Sequence, residues 1–131
     1  VLSGDTKYTQ KVIDGAKDAD VLFHENQANH ILEMMHKPLM NAGRPQAATV
    51  MKDIVTYHTT PTEAADIANK ANVDHLVFYH HVPYPRISIM ERLHLRGVAE
   101  VRQKDKWTFS KDGTLIVLPL NSDEVKITSI N

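Results

Sequence analysis

The sequence contains no cysteine, which excludes disulfide bonds, thiolate metal sites and a cysteine nucleophile but assigns no compartment. Neither sign of charge dominates, because 15 Lys and Arg stand against 16 Asp and Glu for a formal net charge of −1. This balance argues against a protein built mainly to bind nucleic acid. No apolar run approaches the ~18 residues of a membrane span, and no secretory leader is visible. The sequence therefore predicts no membrane association and leaves cytoplasm and periplasm open.

The length and composition are those of a globular unit. The chain has 131 residues, of which 42% are hydrophobic and 24% charged, and we see no repeat, low-complexity tract or linker. Residues 1–131 therefore read as a single unit. Because the chain opens at Val1 without an initiator methionine, we expect it to be part of a longer protein.

Helical and strand patterns alternate along the chain. Apolar residues at helical spacing and capping signals predict helices that begin at Thr6, Ala28, Pro45, Thr60 and Ile87. The signal is strongest at Thr60–Pro61–Thr62–Glu63, which combines a capping box with proline at the first helical position. Pro38 is expected to kink or end the second helix. Short apolar runs predict strands over residues 1–4, 19–24, 75–79, 115–118 and 125–130.

The order of these elements favours an α/β fold. Two strands each follow directly after a helix, so we expect a parallel pairing between them. After Gly97 the pattern changes, and Lys111–Asp112–Gly113–Thr114 predicts a turn between two strands, one of them within 98–107.

Several polar residues follow the predicted strands at their carboxyl ends, where α/β proteins collect their chemistry. Asp5 follows the first strand, His24–Glu25 the second, and His80–His81 the strand over 75–79. His58 lies just before the capped helix. Imidazole and carboxylate groups are the ligands of zinc and similar metals where thiolates are absent.

Each of these residues also has a structural interpretation. Asp5 can be a turn or capping residue, His58 can bond to the backbone, and His80–His81 can be a solvated loop pair. Glu25 ends an apolar strand, so its carboxylate requires a partner. The remaining histidines have no matching partner in the sequence and are expected to be structural; they are His30, His36, His75 and His94.

The motifs occur in a characteristic order. They are Ser3–Gly4–Asp5–Thr6, then Asp20–Val21–Leu22–Phe23–His24–Glu25, then His58–Thr59–Thr60 with Glu63–Ala64–Ala65, then Leu76–Val77–Phe78–Tyr79–His80 with Pro83. This series resembles the C-terminal half of a metallo-β-lactamase-fold hydrolase, in the ribonuclease Z and phosphodiesterase branch. The resemblance covers residues 1–86.

The resemblance implies roles for four residues. Asp5 would bridge two metal ions, expected to be zinc, and His80 would bind one of them. Glu25 and His58 would form a pair in which the carboxylate orients the imidazole, and His58 would either donate a proton to the leaving oxygen or hold the scissile group. The implied activity is hydrolysis of a phosphodiester or another ester.

The sequence also departs from the family pattern. No His-x-His-x-Asp-His motif occurs, Thr59 stands where serine is usual, and Asn26–Gln27 stand where ribonuclease Z proteins typically have Ala-Thr. The 32 residues between Glu25 and His58 form a longer helical insertion than the family predicts. The last two departures weaken an assignment to transfer-RNA processing and favour another substrate, a small-molecule ester or phosphodiester.

The resemblance further implies half of an αββα sandwich, with a mixed sheet flanked by helices and the N-terminal half absent. Such a half would expose an apolar sheet face, so we expect a partner: the missing N-terminal half, or a second copy bound through that face. The isolated chain is expected to be inactive.

Two alternatives remain. The chain can be a non-catalytic α/β assembly module, or a nuclease for which Lys104 and Lys106 beside Trp107 are the only basic signal.

Overall fold

A three-stranded parallel sheet organises the structure, a computed structural model in which residues 1–130 are described. Its strands lie in the order β1 (Val21–Gln27), β2 (His75–Val82) and β3 (Trp107–Phe109). Leu2 adds a single parallel bridge to Phe23 at the outer edge of β1. The predicted parallel pairing of the two buried strands is therefore confirmed, although both strands run further than the sequence predicts.

Six helices surround or extend this sheet in the described part of the chain. They are α1 (Gln10–Gly15), α2 (Asn29–Asn41), α3 (Pro45–Asp53), α4 (Pro61–Lys70), α5 (Ser88–His94) and α6 (Val98–Val101). Between residues 1 and 130, none of them is long and apolar enough to cross a membrane.

The helix starts predicted from capping signals are partly confirmed. In α4 the Thr60 hydroxyl accepts from the Glu63 amide while the Glu63 carboxylate accepts from the Thr60 amide, which is the expected capping box. Pro45 opens α3 as predicted, whereas Pro38 lies inside α2 rather than ending it. The prediction that Thr6 caps the first helix is wrong: Thr9 caps α1, because the Thr6 amide points instead to the Glu25 carboxylate.

The main core lies between α4 and one face of the sheet. Four residues of α4 are completely buried (Ala64, Ala65, Ile67 and Ala68) and pack with Leu22, Leu76 and Phe78 of the strands. The small alanine side chains allow the helix to approach the sheet closely, so the large side chains of the strands fill the space between them. This packing holds the amino end of α4 beside the carboxyl ends of β1 and β2.

The C-terminal region differs from the sequence prediction. A turn does occur at residues 111–114, where the Thr114 amide donates to the Lys111 carbonyl. However, β3 before it pairs with β2, whereas β4 (Thr114–Val117) after it pairs with β5 (Lys126–Ser129) in a separate antiparallel sheet. The 98–107 segment is not a strand before β3, because it forms α6 and a 3₁₀ turn.

The α/β class is confirmed, with parallel and antiparallel pairings in two sheets rather than within one. On the sheet face opposite α4, Leu2 is exposed and Phe23 is partly exposed, but Val21 and Val77 are buried.

Candidate metal centre

Glu25, at the carboxyl end of β1, joins two loops to the sheet. Its side chain is fully buried, and its Oε1 accepts hydrogen bonds from the Thr59 amide at 2.8 Å and the Thr6 amide at 3.5 Å. Its Oε2 lies 3.1 Å from Nδ1 of His58. The Thr59 hydroxyl then donates to the Thr6 carbonyl at 2.6 Å. One carboxylate therefore fixes the loop after the Leu2 bridge and the loop before α4.

The same contacts determine the electrostatics of the pair. Burial raises the pKa of Glu25, while the Thr59 amide and the His58 ring lower it. Because a carboxylate can only accept, the proton in the His58–Glu25 bond resides on Nδ1 when Glu25 is ionised. The Nε2 atom of His58 is then the nitrogen that is free to bind a ligand or to carry a second proton.

Asp5 is positioned by the turn that follows the Leu2 bridge. Gly4 there has φ of +63°, a left-handed conformation that glycine adopts without strain. The turn leaves the Asp5 carboxylate exposed, and its Oδ1 lies 3.6 Å from Nε2 of His80. A polar, solvent-facing carboxylate beside an imidazole is a suitable metal ligand pair.

A β-bulge at the end of β2 places His80. Glu25 is opposite Tyr79 and Asn26 is opposite His81, so His80 is the extra residue between the two pairs. Its φ of +45° is the left-handed conformation found at many bulges. The bulge sends Tyr79 and His81 to opposite faces of the sheet and leaves His80 at the edge beside Asp5. His80 is half-exposed, as a ligand that receives an ion from solvent must be.

The three donor groups converge. One ligand atom from each of Asp5, His58 and His80 lies within 4.8 Å of the other two, and the His58 and His80 ring centroids are 5.9 Å apart. Among residues 1–130 this is the one group of three such side chains that can hold a metal ion. Two imidazoles and a carboxylate are a ligand set that zinc accepts with one coordination position open, so the residues fit the ion.

The structure thus brings together all four residues that the sequence singles out. His58 lies close enough to Asp5 and His80 to be a third ligand, beyond the proton-donor role that the resemblance implies. The assignment of Asp5 and His80 as ligands and of Glu25–His58 as a proton-transferring pair stays a prediction.

Sequence reasoning missed the backbone groups of the site. The Thr6 and Thr59 amides hold Glu25, and a backbone amide has no residue-type signature by which it can be recognised. The bulge was also missed, although adjacent histidines before a proline-rich turn are compatible with one.

The histidines expected to be structural are largely so. His75 bonds to the Thr108 hydroxyl at 2.9 Å and His30 to the Leu93 carbonyl at 2.8 Å. His94 is fully buried, with Nε2 2.6 Å from Oδ1 of Asn26. Burial, with smaller contributions from neighbouring His81 and His30, lowers the pKa of His94 to about 4. These rings are bonded within the fold and are not members of the Asp5, His58 and His80 cluster.

Comparison with known proteins gives sequence relatives over most of the chain. No protein-family model matches. A zinc phosphodiesterase ELAC protein 2 homolog from Caenorhabditis elegans is 28% identical over 93 residues, which are 69% of this chain and 9% of that protein. A ribonuclease Z from Thermoplasma volcanium is 35% identical over 83 residues, 63% of this chain and 22% of that protein. The chain thus spans less than a quarter of either relative.

A solved structure is also similar. The metallo-β-lactamase fold protein YhfI from Bacillus subtilis aligns with 78% of this chain and 33% of its own, at a TM-score of 0.47 and 20% identity.

Proposed function

We infer that this chain contributes to a metal-dependent hydrolase site. The inference starts from its similarity to the ribonuclease Z and zinc phosphodiesterase proteins of the metallo-β-lactamase fold. The reaction is cleavage of a phosphodiester or another ester. The observation that carries this proposal is the convergence of Asp5, His58 and His80 within 4.8 Å, with the buried Glu25 behind His58.

Asp5 and His80 hold the metal in this proposal. Both side chains are about half-exposed or more, so they are accessible to an ion and to a substrate. When bound, zinc ions supply a Lewis acid that polarises the ester and lowers the pKa of water to about 7.

Glu25 and His58 together supply the proton for the leaving group in this proposal. The carboxylate accepts from Nδ1–H of His58 at 3.1 Å, which orients the ring and leaves its Nε2 free of this bond. A proton carried on Nε2 can pass to the leaving oxygen, and the adjacent carboxylate stabilises the positive imidazolium before that transfer. Thr59 and Thr6 amides keep Glu25 in place, so the geometry is set before the substrate binds.

The remaining metal ligands come from outside this chain. Asp5 and His80 provide two ligands, fewer than the three protein ligands of a catalytic zinc ion, and the two ions implied by the family resemblance need more. We propose that a further segment of the same protein, or a second copy bound through the sheet face that carries Leu2, provides them. The isolated 131 residues are then expected to show no turnover.

The substrate is a small ester in this proposal. The net charge of −1 provides no extended basic surface for a nucleic acid backbone. The relative named ribonuclease Z favours an RNA phosphodiester as the second candidate, and activity on a short oligoribonucleotide against a simple phosphodiester separates the two.

Metal binding tests the proposal directly. In the intact protein, Asp5→Asn and His80→Gln should each lower the affinity for zinc at least tenfold, measured by competition with a chelating dye and by metal content. Asp53→Asn and His36→Gln make the same chemical changes on the α2–α3 pair, away from the cluster, and should leave zinc binding unchanged. Equal zinc affinity in all four variants would show that the cluster is structural, as in the assembly-module alternative.

A further inference from the structure

We propose, on the basis of the function inferred above, that the cavity beside His80 binds an aromatic ring of the substrate. This cavity has a volume of about 380 Å³ and is lined by Tyr79, His80, His81, Tyr84 and the start of the 110–112 loop. Its size lies within the range of small-ligand sites. Because His80 forms one wall and also lies 3.6 Å from Asp5, a group attached to an ester at the metal centre reaches the cavity directly.

One wall of the cavity is rigid. His81 stacks on Phe109 with ring centroids 3.6 Å apart and planes inclined by 13°. Its Nε2 lies 2.8 Å from the Ser110 carbonyl, and its Nδ1 contacts the Asn26 amide. All polar atoms of this ring are therefore engaged by the protein. His81 therefore presents an immobile aromatic surface to the cavity.

Tyr84 adds a second aromatic ring to the lining of the cavity. Tyr84 is 57% exposed, and its ring lies 6.2 Å from the His81 ring at an inclination of 37°. Tyr79 borders the cavity beside His80, and the centroids of these two rings are 6.5 Å apart. The exposed ring of Tyr84 provides a stacking surface for a planar ligand.

The charges at the cavity favour a neutral aromatic ring over an anionic group of the ligand. Lys111, the one cation of the lining, pairs with Glu91 at 2.8 Å, and Asp112 adds a negative charge at the rim. An anionic group placed here would meet a cation that is already neutralised and a nearby carboxylate. The ligand is thus an aryl ester or a nucleotide base, which share the same planar aromatic chemistry.

The test compares two unreactive ligands on the zinc-loaded intact protein. Phenylphosphonate and methylphosphonate carry the same anionic group, so the ratio of their dissociation constants in calorimetry reports the ring alone. We expect wild type to favour the phenyl ligand by about tenfold. Tyr84→Ala should abolish this preference, Tyr84→Phe should retain it, and Lys111→Ala should leave it unchanged. A third ligand, uridine 5′-phosphate, distinguishes a nucleotide base from an aryl ester as the natural occupant of the cavity. If it binds more tightly than phenylphosphonate, the occupant is a nucleotide base; if it binds more weakly, the occupant is a simple aryl group.

The two proposals fail in different ways. If both phosphonates bind equally and only when zinc is present, the aromatic cavity is wrong and the metal-dependent function stands. An unchanged phenyl preference in Tyr84→Ala would likewise overturn the aromatic assignment. If neither ligand binds and zinc does not bind, the proposed function and the cavity are both wrong.

Discussion

Replacing Glu25 by glutamine should move a proton on His58 without changing the shape of the site. In the wild type both carboxylate oxygens accept, one from the Thr59 amide at 2.8 Å and one from the His58 ring at 3.1 Å. Glutamine keeps the volume and can keep the bond from Thr59 through its amide oxygen. Its NH₂ group then faces Nδ1 of His58, which must accept instead of donate. The ring proton moves to Nε2, the atom needed for a ligand or for proton transfer.

The cost in folding free energy follows from the same contacts. Hydrogen bonds to a charged group contribute about 1.5–3 kcal/mol, and neutral ones about 0.5–1.5 kcal/mol. Two such bonds become neutral, which removes about 2–3 kcal/mol, and part of this loss is offset because a charge no longer has to be buried. We expect Glu25→Gln to lower the free energy of unfolding by about 1–2 kcal/mol. Glu25→Ala leaves three donors (the Thr59 and Thr6 amides and the His58 ring) without their acceptor and should cost about 4 kcal/mol.

Two measurements check this reasoning. Urea unfolding followed by the fluorescence of Trp107, the only tryptophan, gives the change in stability, and long-range ¹H–¹⁵N NMR gives the His58 tautomer. Glu63→Gln is the matched control, because glutamine also serves in a capping box and the exposed side chain should change stability by less than ~0.5 kcal/mol. A Glu25→Gln protein as stable as wild type, with the proton still on Nδ1, would refute the account of the pair.

Two further predictions concern stability. Lowering the pH should destabilise the fold, because the pKa of His94 is about 4 in the folded protein against 6.5 for an ordinary histidine, so the unfolded chain binds more protons in that window. The contribution of His94 to the free energy of unfolding is fully present above pH 6.5 and is lost by pH 4, a difference of about 3 kcal/mol. In His94→Gln, the free energy of unfolding measured in urea should depend less on pH across this range. An unchanged pH dependence would contradict the prediction. Thr60→Ala should lower the free energy of unfolding by about 1 kcal/mol through loss of the α4 cap, whereas Thr60→Ser, which keeps the hydroxyl, should stay near wild type in the same assay.

The parts of the fold that could be predicted are those with local signals. The capping box at Thr60–Glu63 and the alanine stripe behind it depend on residues within one helix, and both are present in α4. The apolar runs that became β1 and β2 carry the strand signal in their own composition. Their ends extend to Gln27 and Val82, because tertiary hydrogen bonds there override the polar character of the residues.

The parts that could not be predicted depend on distant partners. Trp107–Phe109 becomes a parallel strand only because it meets Leu76–Phe78 of β2, some thirty positions earlier in the chain, and nothing in three residues encodes that partner. The Thr6 amide is likewise taken by Glu25, so the helix start moves to Thr9. The four candidate site residues could be singled out because strand ends concentrate chemistry, but the sequence alone could not place His58 beside the other two donors.

Asn26 and Gln27, the two residues that follow Glu25 at the end of β1, explain how this site is held. Asn26 donates to the Tyr79 carbonyl at 2.8 Å, contacts Nδ1 of His81 and accepts from His94, so it stabilises the strand on both sides of the bulge at His80. An alanine at this position could make none of these bonds, and the left-handed backbone of His80 would lose the contacts that offset its strain.

Gln27 has a comparable role toward the long helical insertion. Its Nε2 donates to Oδ1 of Asn29 at 2.8 Å and to the Ile54 carbonyl at 3.2 Å, which joins the start of α2 and the end of α3 to the strand. Its backbone amide also donates to the Thr59 carbonyl at 2.8 Å. The segment from α2 to α3 is therefore tied to the loop that carries His58, so Asn26 and Gln27 stabilise the backbone on which both imidazoles of the candidate centre are placed.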